Sequence, residues 1–228
     1  MSFNFEFRRT LPIFLTVLGL GLVAYGYMNP GIAVCIMSKN NQVHSAAQDQ
    51  LHADSRARIQ QTFGTLQSKP LVVFFNEPDT FWPFNPNEYG STNFIGSRVC
   101  VIVGSKGQNI DVIAHELMHA EIADRVGYWR RFTQLPVWFD EGLAMQVDYR
   151  PAYTLPVLDS ESTKVEYVKT LRSSSEFSAP SDALLTKNYA SAKVVVNQWV
   201  TDVGSAAVFS RLERIRAGES FESMLGNK

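Results

Sequence analysis

Apolar residues recur along this chain in three patterns, each predicting a different kind of element. Residues 11–28 are an almost unbroken apolar run behind Arg8 and Arg9, and no charged side chain stands between Arg9 and Lys39. Such a run is near the minimum for spanning a bilayer, and its positive flank predicts a cytoplasmic amino terminus with the remainder exported. Residues 1–30 are thus expected to be a cytoplasmic amino terminus and transmembrane anchor, and 31–228 one domain outside the cytoplasm. A cleaved signal peptide, leaving a secreted domain, is the alternative, although Tyr25, Tyr27, Asn29 and Pro30 are awkward neighbours for a cleavage site. Short β-branched runs form the second pattern and predict strands at 32–37, 71–75 and 98–103.

Helical spacing is the third. It predicts a helix over 47–63 closed by Gly64, and another capped by Asp111 that carries Val112, Ile113, Leu117, Met118 and Ile122 and stops at Gly127. Pro136 suits the first turn of the next, with Thr133 as its cap and Val137, Trp138, Leu143 and Ala144 as its apolar stripe. Val194, Val195, Trp199 and Val203 mark a buried face ended by Gly204, and Phe209, Leu212 and Ile215 mark another before Gly218. Strands followed by helices predict an α+β class with a small mixed sheet.

Charge and composition narrow the choice of partners. A net charge of -1 and the absence of a long Lys/Arg run argue against a dedicated nucleic-acid binder. Arg130 and Arg131 read as solvated loop charges, Gly104 to Gly107 as a turn, His44 and His52 as surface residues, and 151–180 as a surface connection. Residues 78–90, rich in aromatics and prolines, read as a plug over the sheet or a cover for a cleft. Cys35 and Cys100 lack zinc-ligand spacing; both fall in expected strands, and they are either a disulfide or two buried thiols.

The densest chemistry lies at His115-Glu116-Leu117-Met118-His119. Two histidines one helical turn apart share a face, so both imidazoles can hold one Zn²⁺ while Glu116 reaches a water beside it. Catalytic zinc keeps three protein ligands and an open position, so a third donor must come from elsewhere. The segment Leu-Pro-Val-Trp-Phe-Asp-Glu-Gly-Leu-Ala-Met at 135–145 offers Glu141, with the adjacent Asp140 as the weaker candidate.

A His-Glu-x-x-His helix followed by Trp-x-x-Glu-Gly-x-Ala resembles the gluzincin zinc metallopeptidases of the peptidase MA-like group. The resemblance implies a zincin-like metallopeptidase domain, one Zn²⁺ on His115, His119 and Glu141, and Glu116 as general base. It also implies a cleft lined by an edge strand, for which 98–103 is the expected candidate. Tyr189, at the start of a helical segment, matches the position of an oxyanion-stabilising tyrosine, though Ala-Ser-Ala follows it where relatives carry Glu-Lys-Gly. Met145 stands where some relatives carry an acidic residue that orients the first histidine, and Gly90-Ser91-Thr92-Asn93 does not match the Gly-x-Met-x-Asn element of aminopeptidases. The expected function is a zinc-dependent endopeptidase acting on peptides or proteins outside the cytoplasm. The alternative is a non-enzymatic, zinc-stabilised, membrane-anchored binding module with a vestigial site.

Overall fold

Alternation along three short strands gives a sheet with two covered faces. In the computed structural model, which describes residues 29–38, 44–77, 86–96, 98–153, 165–179 and 181–226, α1 (Pro30–Ser38) and α2 (Ala46–Phe63) precede β1 (Leu71–Phe74), β2 (Gly90–Ile95) and β3 (Arg98–Val103). Strand β3 lies in the middle, parallel to β1 with Leu71 opposite Cys100, and antiparallel to β2 with Gly90 opposite Val103. One face of the sheet presents Val73, Cys100 and Ile102, which pack with Phe75 against Val34 and Cys35 of α1. The other presents Val72, Val101 and Val103 to the main core.

That core is made by helices. After the sheet come α3 (Ile110–Val126), α4 (Tyr128–Gln134), α5 (Val137–Ala144), α6 (Ser174–Phe177), α7 (Asp182–Val203), α8 (Val208–Arg216) and α9 (Phe221–Leu225). Ile113, Leu117, Met118 and Ile122 of α3 meet Phe139 and Leu143 of α5, Val196 of α7 and Leu212 and Ile215 of α8 in one continuous cluster. Helix α5 lies close against α7 because Gly142 has no side chain: a Cβ there would come within 2.5 Å of the Ala192 carbonyl oxygen and of Val196 Cγ2.

Four expectations need correcting. The α+β class gives way to a helix-dominated fold in which the sheet has three strands. Residues 32–37 belong to helix α1, not a strand, because Pro30 suits a first helical turn and a wholly apolar run carries no period that separates helix from strand. The edge next to α3 is β2, while 98–103 is central. No helix among the described residues is long and apolar enough to cross a membrane; the expected span at 11–28 lies outside the described residues, and the membrane-anchored placement is dropped.

Smaller differences follow from local hydrogen bonding. Asn109, not Asp111, caps α3 by accepting from the Val112 amide, and Asp111 instead pairs with Arg58 and accepts from the Tyr149 amide. Thr133 donates to the Trp129 carbonyl inside α4 rather than capping α5. Cys35 and Cys100 form a disulfide that ties α1 to β3, with Cα atoms 6.1 Å apart. Parts of two expected connections, 78–85 and 154–164, lie outside the described residues.

Candidate metal centre

Helix α3 is buried on nearly all sides, so polar residues on it must find partners inside the protein. His115 and His119, one turn apart and each 6 % exposed, bring their Nε2 atoms to 3.1 Å from each other. Packing of Trp138, Phe139 and Leu143 holds α5 across them and turns Glu141 inward. Its Oε2 lies 3.3 Å from His115 Nε2 and 3.3 Å from His119 Nε2, and it is buried without a hydrogen bond.

The triangle has the dimensions of a metal site. Donors about 2.0–2.1 Å from a tetrahedral metal stand about 3.3 Å apart along each edge. Spacings of 3.1, 3.3 and 3.3 Å therefore describe one face of such a tetrahedron, made of two imidazole nitrogens and one carboxylate oxygen. His115, His119 and Glu141 could hold a metal ion, as the sequence pairing of the two motifs predicts. Asp140, the weaker candidate, sits on the far side of His119 and is not part of the triangle.

One carboxylate aims an imidazole, and a second stands near the other. Asp140 Oδ1 is 2.9 Å from His119 Nδ1, and its other oxygen pairs with Arg131, which is therefore no solvated loop charge. Asp148 Oδ2 is 3.6 Å from His115 Nδ1; this carboxylate is fully buried and gripped by Arg150, whose Nε is 3.0 Å from both oxygens. A carboxylate at Nδ1 favours the tautomer that carries its proton there, leaving the Nε2 lone pair for a metal. Asp148 is brought near His115 by the tight turn Met145–Val147, and His115 Nδ1 itself is buried without a hydrogen bond.

The electrostatics of the three donors point the same way. Burial disfavours charge on His119, but Glu141 and then Asp140 outweigh it and push the imidazole up to about 10. Burial likewise pushes Glu141 up, yet the two histidines overcome it and hold the carboxyl well below the usual carboxylate range. The carboxylates thus demand positive charge where the three donor atoms converge.

A cavity of about 430 Å³ opens beside the triangle, lined by His115, Glu116, Gly90, Tyr153 and Tyr189 among others. Glu116 reaches it from α3, and Thr92 Oγ1 on β2 stands 2.8 Å from Glu116 Oε2. Tyr189, on α7, places its ring 6.2 Å from that of His115 and packs edge-on to Tyr153 and Phe177. The charge of Glu141, then burial, then Glu116 push its phenol well above the ordinary range, so it stays protonated and able to donate.

His44 and His52 are half-buried, not surface residues, and neither belongs to the triangle. His44 Nε2 lies 3.1 Å from the Val72 carbonyl oxygen. Thr92, Asp148 and Arg131 have no signal in the sequence beyond their polar side chains. No protein family, curated protein or solved structure matches the chain, so its chemistry rests on this geometry.

Proposed function

We propose that this chain is a zinc-dependent peptidase that hydrolyses internal peptide bonds in peptides or proteins. The observation that carries the reading is the tetrahedral face formed by His115, His119 and Glu141 beside a cleft that also holds Glu116. Two nitrogens and one carboxylate oxygen suit Zn²⁺, and one remaining tetrahedral position suits catalysis rather than a closed structural site. The likeness of the two motifs to those of gluzincin metallopeptidases supports the same reading.

Zinc, when held there, supplies a Lewis acid that polarises a scissile carbonyl and makes a water acidic near neutral pH. The chain's own residues do the rest. Glu116 accepts the proton of the attacking water and delivers it to the departing amine, a contribution of about 10²–10⁴ in rate. Tyr189 donates its phenolic hydrogen to the oxyanion that develops on the carbonyl. Asp140 keeps the His119 imidazole in the orientation that directs Nε2 inward.

Zinc content and peptide hydrolysis, measured side by side for the wild type and Glu116→Gln, test the proposal. We expect one zinc per chain in both, with turnover lost by at least about 100-fold in the variant. Equal turnover in the two proteins would refute the mechanism. Stoichiometric zinc with no cleavage of any peptide would point instead to a metal-stabilised binding module.

A further inference from the structure

Strand β2 is an edge strand whose alternate residues Gly90 and Thr92 both meet Glu116 of α3. Thr92 Oγ1 lies 2.8 Å from Glu116 Oε2 and 2.8 Å from the Glu116 main-chain oxygen, so the hydroxyl spans the residue from backbone to carboxylate. Gly90 completes the arrangement. A Cβ at that position would come within 2.9 Å of Glu116 Cγ, 2.9 Å of Val112 Cγ1 and 3.2 Å of Glu116 Oε1.

A glutamate side chain has several rotatable bonds, and one flanked in sequence by metal ligands faces a particular hazard. A divalent cation attracts any carboxylate within reach, and a free Glu116 could swing onto it as a fourth ligand and close the open position. We infer that Thr92 is a positioning residue that ties Oε2 of Glu116 to the edge strand, leaving Oε1 as the proton-accepting oxygen and the fourth metal position open. The inference rests on the reading of Glu116 as general base. Gly90 is the matching steric half: its missing side chain leaves the room in which the tethered carboxylate sits.

Thr92→Val keeps the shape and strand propensity of the residue and removes the hydroxyl; Thr92→Ser keeps the hydroxyl. Each is compared with the wild type as zinc-loaded protein, by kinetics on one cleaved peptide and by calorimetric binding of acetohydroxamic acid. That probe chelates zinc and passes a proton to a carboxylate held beside it, so it reports on Glu116 without turnover. For Thr92→Val we expect kcat to fall by about 10- to 100-fold with KM within about twofold of wild type. Acetohydroxamic acid should bind about tenfold more weakly, with zinc content unchanged and the melting temperature lowered by no more than about 6 °C for the lost hydroxyl.

Thr92→Ser should restore both readings to within about threefold, and Thr92→Val should cause no further loss of binding in the Glu116→Gln background. Gly90→Ala, which crowds the same carboxylate, should also lower kcat. Wild-type binding and turnover in Thr92→Val, a serine that fails to rescue, or a protein that takes up no zinc would each overturn the inference. If the zinc-loaded wild type cleaves no peptide, the peptidase reading fails by itself, and the acetohydroxamic acid arm still decides whether Thr92 positions Glu116.

Discussion

His115, Glu116 and His119 were legible in the sequence because a helix converts their spacing directly into a shared face. Glu141 was legible because its helix begins at a proline and carries its own apolar stripe. The residues that aim these donors were not. Asp140 looked like a poorer ligand, yet it sits 2.9 Å from His119 Nδ1 and pairs in turn with Arg131. Asp140→Asn should therefore weaken zinc binding by about 10- to 100-fold without unfolding the protein, as read by competition with a chromophoric chelator. Unchanged affinity would remove Asp140 from the site. Glu121 carries a stability prediction. Fully buried, it accepts from the Gln67 and Ser68 amides and from Arg125 Nε. Glu121→Ala leaves the two amides and Arg125 Nε without their acceptor, while Arg125 keeps Glu213 and the Thr65 carbonyl, so chemical denaturation should show a loss of roughly 1–3 kcal/mol. A loss below 1 kcal/mol would mean that water replaces the carboxylate.

Elements were legible where spacing, β-branched runs or stop residues marked them, including the buried helix α3 and the central strand β3. Helix α2 and its closing Gly64 follow from pattern and cap, with Ser45 and Gln48 forming a reciprocal capping pair. Helix α1 does not, because an all-apolar segment packed on a sheet lacks the alternation that separates the two periods. Its attachment to β3 through Cys35 and Cys100 closes a loop of 65 residues, and the restricted unfolded chain makes such a link worth roughly 4 kcal/mol in the entropic account. The double variant Cys35→Ala, Cys100→Ala should thus unfold at a clearly lower urea concentration. Its zinc affinity should stay at the wild-type value, because the bridge lies on the sheet face that packs on α1 while the ligands sit on α3 and α5. A parallel loss of zinc would show that α1 helps to shape the site through the sheet.

At the scale of the whole molecule, the three candidate metal ligands sit on helices that share an apolar core. Helices α3 and α5 are already joined through Leu117, Met118, Phe139 and Leu143 in a core that runs on through α7, α8 and α9. If the proposed zinc is held there, it braces a core made by other contacts, unlike the metal of a small zinc finger, which supplies most of the folding energy. Chelation should therefore lower stability without unfolding the chain. A ligand present at a thousandfold excess over its dissociation constant contributes about 4 kcal/mol, and in a domain of this size each kcal/mol moves the midpoint by about 2–4 °C. Removing zinc from the loaded protein should thus shift thermal unfolding down by roughly 8–16 °C, leaving the helical circular dichroism at 25 °C intact. Collapse of that signal on chelation would mean that the shared core does not hold the two helices together without the metal.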